Sequence, residues 1–146
     1  MPAGPRVTSV SIPRIGKRFP IPLVLARVPA GFPSPADDYV ERNIDLNDWL
    51  IHNKVATYIV RVEGDSASGE IRSGDMLVVD RSLEARHGSV VIACVDGDML
   101  VKCLHVEPGG RRFLVADNSD TSPVEINGHS EVMIWGVVTH GIRKMH

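Results

Sequence analysis

Residues 89–105 read SVVIACVDGDMLVKCLH, two apolar runs that meet at Asp96-Gly97. Aspartate and glycine both tolerate a positive φ, and such a dipeptide between two apolar runs is the strongest short-range signal of a β-hairpin. The stretch therefore predicts two antiparallel strands, Ser89–Val95 and Asp98–His105, joined by a two-residue turn.

The chain on either side of this hairpin has the same character, because short apolar runs alternate with turn residues. Further strands are predicted at Thr57–Val62, Met76–Asp80, Arg111–Ala116, Val124–Ile126 and Val132–His140, and further turns at Ser73-Gly74-Asp75 and Pro108-Gly109-Gly110. No long helical segment separates these strands, which argues against a parallel α/β sheet. The expected fold class is mostly β, compact and mainly antiparallel.

Two short helices are expected at the N-terminal edge of this fold, at Asp37–Asn43 and Asp45–Asn53. The side chain of Asp45 can accept a hydrogen bond from the first turn of the second helix, as a capping residue does. Leu46, Trp49 and Leu50 of that helix then fall on one face, which is the pattern of a helix.

The first thirty residues differ from the rest in composition. They contain six of the ten prolines and five of the 16 basic residues, but none of the 18 acidic ones. Proline fixes φ and lacks an amide proton, so this arm is expected to be extended or disordered, apart from a short β segment at Leu23–Leu25. The predicted domains are a flexible basic arm, residues 1–30, and a folded domain, residues 31–146.

Composition argues against several classes of function. A basic arm can bind nucleic acid or lie against its own acidic body, but five charges with little aromatic interleaving do not favour direct DNA binding. The longest apolar runs, such as Val90–Val95, are far shorter than the roughly 20 residues of a membrane span. Cys94 and Cys103 are expected to be buried thiols in a reducing cytoplasm. No metal-ligand spacing is present, and no cofactor is expected.

A candidate nucleophile lies in Gly64-Asp65-Ser66, which follows the predicted strand Thr57–Val62. Glycine permits a tight turn that would expose the serine side chain. Backbone amides at Asp65 and Ser66 could then stabilise an oxyanion. An ordinary loop, in which the serine bonds a nearby backbone amide, is the simpler interpretation of the tripeptide alone.

A candidate base is Lys102, which strand alternation places on the same face as Leu100 and Leu104. A lysine in water has a pKa of about 10.4 and cannot accept a proton at neutral pH. Burial disfavours the ammonium form, lowers the pKa and leaves an amine able to deprotonate a serine. A lysine on a solvated edge strand, whose stem covers apolar surface, is the alternative.

A candidate substrate lies in the same chain, at the peptide bond between Ala30 and Gly31. Small residues let a protease approach the carbonyl, and Pro29 and Pro33 keep the flanks extended. An extended segment can be held beside a sheet edge by β-augmentation. The segment is also a linker between arm and body, and the two roles are compatible.

Taken together, the order and spacing of these pieces resemble the LexA/UmuD family of self-cleaving serine–lysine proteins, the S24-like peptidases, and are most similar to the UmuD branch. The likeness covers nearly all of residues 31–146, whereas residues 1–30 show no comparable likeness. Besides Gly64-Asp65-Ser66 and Val101-Lys102, the matching motifs are Gly31-Phe32-Pro33-Ser34-Pro35, Asp38-Tyr39-Val40-Glu41, Ile44-Asp45-Leu46-Asn47, Ala56-Thr57-Tyr58, Gly74-Asp75, His87-Gly88, Val95-Asp96-Gly97 and Trp135-Gly136-Val137-Val138.

The resemblance implies a LexA-like peptidase β fold, catalytic residues Ser66 and Lys102, and self-cleavage between Ala30 and Gly31. It further implies a homodimer whose cleavage is stimulated by a RecA–single-stranded-DNA filament after DNA damage. The trimmed form, residues 31–146, would act with a Y-family, UmuC-like polymerase in translesion synthesis. A LexA-like repressor fragment is a further alternative, although the arm is too short for a helix-turn-helix.

Two positions depart from the family pattern. UmuD-like proteins usually place methionine after the nucleophile, where this chain has Ala67, and often a hydroxyl residue two positions before the lysine, where it has Leu100. The apolar side chain makes the site drier but removes a contact that positions the amine, so slower or more partner-dependent cleavage is expected. Ser68 is a second serine in the loop and a weaker candidate nucleophile.

Two other functions stay open at this point. A Ser-His-Asp hydrolase could use His87 or His105 as its base, and its rate would level off near neutral pH, whereas a lysine base gives a rate that rises into the alkaline range. A protein without enzymatic activity could serve as a dimeric polymerase-binding adaptor whose arm is never cut.

Overall fold

The computed structural model describes residues 4–13, 20–24, 40–66, 70–116, 123–129 and 131–146. This part of the chain forms ten strands and one helix. In chain order they are β1 (Arg6–Ser11), β2 (Pro20–Val24), β3 (Val40–Asp45), α1 (Leu46–Leu50), β4 (Thr57–Glu63), β5 (Met76–Asp80), β6 (Val90–Val95), β7 (Asp98–Val106), β8 (Arg112–Val115), β9 (Val124–Glu125) and β10 (Val132–Ile142). The chain divides into two compact units, one made of Met1–Pro13 with Asn53–His146 and the other of Arg14–His52.

The larger unit is a closed antiparallel β-barrel. Its strands follow the order β1-β4-β5-β10-β6-β7, and β1 also pairs with β7, which closes the ring. Strands β8 and β9 extend the sheet beyond the end of β7, where β7 pairs with β8 from Cys103 to Val106. Closure gives the ring strands neighbours on both sides and so removes open sheet edges. The predicted fold class, a compact and mostly β fold of LexA-like type, is confirmed.

The central hairpin of the barrel is buried on both faces. Leu100 and Leu104 of β7 belong to one hydrophobic cluster, and Val101 of the same strand belongs to another. An unbroken apolar run such as β6 is typical of a strand with two buried faces. The first cluster comprises Val91, Ala93, Val95, Leu100, Leu104, Leu114 and Val137, and the second Val60, Val62, Leu77, Val79, Ile92 and Val101.

The predicted hairpin is confirmed. Strands β6 and β7 pair from Val90 with Cys103 to Val95 with Asp98, and φ is 49° at Asp96 and 86° at Gly97. The other strands predicted after residue 57 are present too, with ends that differ by at most two residues from the prediction. No disulfide joins Cys94 and Cys103. Within the described residues, no helix is long and apolar enough to cross a membrane.

The arm contains more regular structure than its prolines suggested. Strand β1 lies within residues 1–30 and belongs to the barrel unit. The β segment predicted at Leu23–Leu25 is confirmed for Leu23 and Val24, which lie in β2, while Leu25 is outside the described residues. That residues 1–30 form a separable, flexible arm stays a prediction.

In the smaller unit, one predicted helix is wrong and the other is shorter than predicted. The helix predicted at Asp37–Asn43 is wrong over residues 40–43, which belong to β3; residues 37–39 lie outside the described part of the chain. Strand β3 pairs with β2, and this pairing overrides the local helical pattern. The second predicted helix is confirmed as α1 alone, and Asp45 caps it by accepting the Asn47 amide at 3.0 Å.

Candidate active site

Ser66 lies two residues beyond a glycine that the fold requires. Strand β4 ends at Glu63, and Gly64 follows with a φ of +95°, a value that residues with a side chain rarely adopt. A methyl group on Gly64 would also lie 3.3 Å from the carbonyl oxygen of Gly4, which is a tight contact. The turn that leads to the serine therefore depends on glycine, as the sequence predicted.

Two hydrogen bonds to Ile71 hold Ser66 in place. The Ser66 amide donates to the Ile71 carbonyl at 2.8 Å, and Ser66 Oγ accepts the Ile71 amide at 2.9 Å. The residue is 7% exposed. Because Oγ is the acceptor, this bond does not involve the hydroxyl proton. An ordinary loop serine makes the same kind of bond, so the bond by itself does not identify a nucleophile.

The backbone amide of Ser66 is occupied in this structure. Sequence reasoning proposed the amides of Asp65 and Ser66 as donors to an oxyanion, but the Ser66 amide bonds the Ile71 carbonyl instead. An oxyanion at this amide would compete with that carbonyl. The loop has to loosen at Ile71 before the Ser66 amide can serve the reaction.

Further hydrogen bonds join the start of this loop to its end. Asp65 Oδ1 accepts the Ser73 amide at 2.7 Å, and the Ser73 hydroxyl oxygen accepts the Gly64 amide at 3.2 Å. The Gly74 amide donates to the Val62 carbonyl at 2.8 Å, which ties the loop to β4. The serine thus sits in a loop whose two ends are held together.

An ion pair anchors the far end of the same loop. Arg143, directly after β10, donates to both carboxylate oxygens of Asp75, at 2.8 and 2.7 Å, and to the Glu70 carbonyl at 3.0 Å. The Arg72 amide donates to Asp75 Oδ2 at 2.9 Å, and Asp75 is 4% exposed. The hydrogen bonds from Arg143 hold the pKa of Asp75 below its ordinary value, although burial acts in the opposite direction. Asp75 is therefore an ionised carboxylate at neutral pH.

Lys102 lies in the middle of β7, opposite Val91 of β6. It is 9% exposed, and Leu100 and Leu104 on the same face of the strand are 1% exposed each. A lysine on a solvated edge strand does not fit this burial. The position is one in which water is largely excluded from the side chain.

The N-terminal segment Gly4-Pro5 lies between the serine turn and the lysine strand. The Pro5 carbonyl accepts the amide of Val101, the residue before Lys102, at 3.0 Å. On its other side the segment is in contact with Gly64, two residues before Ser66. Both candidate residues are therefore on segments that flank the same N-terminal residues.

The two histidines of the alternative hydrolase lie next to each other. His105 is in β7, and His87 is in the loop before β6. The rings of His87 and His105 meet edge to face with centroids 4.9 Å apart, and both residues are exposed. His87 Nδ1 accepts the Val106 amide at 3.0 Å, so that nitrogen is already used. Neither ring has the shielded position that Lys102 has.

Several predicted site residues lie outside the described part of the chain. They are Ala30, Gly31, Ala67 and Ser68. The cleavage site and the second serine therefore stay predictions. Among the described residues, no group of three or more histidines, cysteines, aspartates or glutamates could hold a metal ion.

Sequence reasoning missed two features of this region. Arg143 is 68 residues from its partner Asp75, and no spacing rule connects them. Strand β1 did leave a signal, because the run from Arg6 to Ile12 has no proline and contains two valines and a threonine. The prolines at positions 5 and 13 bound that run without interrupting it.

Comparison with known proteins identifies the family. Residues 22–139 match the model of the Peptidase S24-like family. Protein MucA of Salmonella typhimurium is 45% identical over 124 residues, which cover 84% of this chain and 84% of MucA. Protein SamA of Salmonella typhimurium is 41% identical over 124 residues, 84% of this chain and 85% of SamA. The LexA repressor of an Anaeromyxobacter species is 33% identical over 143 residues, 96% of this chain and 61% of the repressor. The chain belongs to the Peptidase S24-like family, in the UmuD-like group related to SOS mutagenesis.

Proposed function

We propose that this protein is a self-cleaving serine endopeptidase of the SOS response, which cuts its own chain between Ala30 and Gly31. Ser66 is the nucleophile and Lys102 is the general base. The observation that carries the proposal is the burial of both residues, 7% and 9% exposed, on segments that flank Gly4-Pro5. Exclusion of water favours the neutral amine that a base requires.

The proposed reaction is an acyl transfer. Neutral Lys102 takes the hydroxyl proton of Ser66 while Oγ attacks the carbonyl carbon of Ala30. Backbone amides at the serine turn stabilise the oxyanion of the tetrahedral intermediate. The bond to the Gly31 nitrogen then breaks as Lys102 returns the proton to the leaving amine. Water hydrolyses the acyl-enzyme and regenerates the serine.

Control of the reaction lies in how often the chain is arranged for attack. The substrate is part of the same molecule, so its effective concentration is high without tight binding. The Ser66 amide, however, is held by the Ile71 carbonyl, and it has to be released before it can bind an oxyanion. A RecA–single-stranded-DNA filament would stimulate cleavage by favouring the arrangement in which the arm is docked and the amide is released.

The trimmed product would act in translesion synthesis. In this proposal residues 31–146 form a homodimer in the cytoplasm and work with a Y-family, UmuC-like polymerase. The support for this step is membership of the UmuD-like group, with identities of 41% to 45% over 84% of the chain.

Incubation of the purified protein tests the cleavage directly. The chain is held at about pH 10, where a substantial fraction of even a solvent-exposed lysine amine is neutral, or near neutral pH with RecA, nucleotide and single-stranded DNA, and the products are weighed by mass spectrometry. We expect fragments 1–30 and 31–146, and neither in Ser66→Ala or Lys102→Ala. The controls Ser68→Ala and Lys54→Ala should cleave like the parent chain. An intact parent chain under both conditions supports the polymerase-binding adaptor instead.

The pH profile distinguishes lysine from histidine as the base. We expect the cleavage rate to rise through the alkaline range, and His87→Ala and His105→Ala to leave the profile unchanged. A rate that levels off near neutral pH and falls in one histidine variant would assign the base to that histidine.

A further inference from the structure

We propose that the β4–β7 edge of the barrel is a peptide-binding site, and that strand β1 stays in it as a separate, exchangeable peptide after the chain is cut between residues 30 and 31. The cut itself comes from the proposed function. The binding site does not depend on which group makes the cut, because the backbone contacts of this segment join residues 5–11 to β4 and β7 and do not involve residues 30 and 31.

Strand β1 pairs with β4 as an added peptide strand would. Arg6 pairs with Glu63 and Val7 with Val62, and after an irregularity at Thr8 the pairing continues to Ser11 with Ile59. The Thr8 hydroxyl donates to the Arg61 carbonyl at 3.3 Å. Strand β1 is therefore paired with β4 from end to end except at Thr8, which is how an added peptide strand binds a sheet edge.

Strand β1 is also the strand that closes the barrel. Arg6 pairs with Leu100, and the Pro5 carbonyl accepts the Val101 amide at 3.0 Å. Without β1, strand β4 and the first half of β7 would both expose backbone donors and acceptors. Exposed edges of this kind bind another extended strand. Loss of β1 thus leaves a gap with the shape and the hydrogen-bonding groups of one strand.

The side chains of β1 contribute little to holding the strand in the barrel. Within Arg6–Ser11 only Val7 is partly buried, against the cluster that includes Val62 and Val101, and Val10 is 43% exposed. The ion pair of Arg6 with Asp98 is long, 3.8 Å, and exposed, so it adds little. Apart from the buried Pro5 that precedes β1 and the partly buried Val7, backbone pairing therefore dominates, and a strand held in this way can leave and return with little loss of buried side-chain contacts.

The occupant follows from these contacts. The site takes an extended peptide that begins with a buried proline, whose carbonyl accepts the Val101 amide. An exposed residue follows at the position of Arg6, then a partly buried apolar side chain at the position of Val7, then small or β-branched residues. Residues 5–11 of the released fragment, or of the fragment from another copy of the chain, have this chemistry. Each protomer of the cleaved protein is accordingly a complex of two chains, the fragments 1–30 and 31–146, rather than the fragment 31–146 alone.

The test uses a full-length chain that cannot cut itself. A recognition sequence for a site-specific protease is inserted between Ala30 and Gly31 in the Ser66→Ala background, and the chain is cut by that protease. We expect the N-terminal fragment to co-elute with the larger fragment in size-exclusion chromatography, and native mass spectrometry to show a one-to-one complex. Separate elution from a folded larger fragment would overturn the proposal. That result would not contradict the proposed self-cleavage, because the Ser66→Ala variant is cut by the added protease and not by itself.

Peptide competition tests whether β1 is the part that binds. Labelled synthetic peptide 1–30 should exchange into the cut complex, and unlabelled peptide should compete with it. Val10 and Ser11 pair with consecutive residues of β4, and amides alternate in direction along a strand, so one of these two amides points toward β4. The peptide with Val10→Pro and Ser11→Pro should therefore require an at least about tenfold higher concentration for half-maximal competition, because it loses one or more hydrogen bonds to β4.

A matched control peptide carries Ile12→Pro, at an exposed position just beyond β1. It should compete like the unaltered peptide. Equal competition by all three peptides, or equal weakening by both proline variants, would contradict a site built on the pairing of β1.

Discussion

Strands β1 and β7 are neighbours in one barrel, but different forces hold them. Leu100 and Leu104 of β7 are 1% exposed, whereas β1 has one partly buried residue, Val7, and is otherwise exposed. Burial of apolar surface therefore holds β7, and backbone hydrogen bonds hold β1. One barrel thus combines a strand that is part of a fixed core with a strand that resembles a bound peptide.

This difference matches the two requirements of the proposed reaction. A lysine can act as a base only if its surroundings keep water away, and the buried strand β7 provides such surroundings for Lys102. An arm that is cut and then exchanges, in contrast, must not be part of the core. The weak burial of β1 allows the arm to contribute a strand without making the rest of the barrel depend on its side chains.

The largest expected effect is a difference in stability between side-chain truncations in the two strands. Leu104→Ala in β7 should lower the free energy of unfolding by about 3 kcal/mol, because it leaves a cavity among fully buried neighbours. Val7→Ala in β1 should lower it by less than about 1 kcal/mol, since its side chain is only partly buried. Urea denaturation of both variants measures the difference. Equal losses would contradict the comparison.

The next effect concerns the loop that carries Ser66. Asp75→Asn removes the charge that accepts two hydrogen bonds from Arg143, and it should cost about 2 kcal/mol of unfolding free energy because Asp75 is buried. Self-cleavage should slow as well, since the loop has to open only at Ile71 and depends on its anchored far end to keep Ser66 in place. The measurements are urea denaturation and the rate of fragment formation.

A second ion pair provides the control for this variant. Asp98→Asn breaks the exposed pair between β7 and Arg6 of β1, whose charged groups are 3.8 Å apart. Exposed pairs of this kind contribute little, so stability should not change measurably. A large loss in Asp98→Asn would mean that β1 is held by charge rather than by its backbone.

Acid should weaken the loop anchor formed by Asp75 and Arg143. The hydrogen bonds from Arg143 lower the pKa of Asp75 from its ordinary value of 3.8. A carboxyl group whose pKa is lowered in the folded state stabilises the fold above the unfolded value and loses this contribution as the pH falls through the folded value. The difference in melting temperature between the parent chain and Asp75→Asn should therefore be constant near neutrality and shrink below about pH 4. A difference that does not depend on pH would contradict this assignment.

Much of the barrel could be predicted from the sequence because its signals are local. The turn at Asp96-Gly97, the apolar runs beside it and the glycine before Ser66 each act within a few residues. The position of Lys102 between Leu100 and Leu104 in a strand made burial one of two interpretations, the other being a solvated edge strand, and the structure decides for burial. These features need no knowledge of distant parts of the chain.

The remaining features depend on contacts between distant residues. Residues 40–45 form a strand because they pair with β2, and their own pattern is equally consistent with a helix. Arg143 joins the site through a partner 68 residues away. Strand β1 closes the ring through pairs with β4 and β7. The high proline content of the first thirty residues as a whole hid residues 6–12, their longest run without proline.

The smallest expected effect tests the peptide-like character of β1 most directly. Val10 is 43% exposed, so Val10→Thr keeps a β-branched side chain in the strand and changes little that is buried. The free energy of unfolding should change by less than about 0.5 kcal/mol, as at other surface positions. Retention of the cut N-terminal fragment should also be unchanged, in contrast to the variant with prolines at positions 10 and 11. A marked loss of stability or of fragment retention in Val10→Thr would show that a side chain, and not the backbone, holds β1 in the barrel.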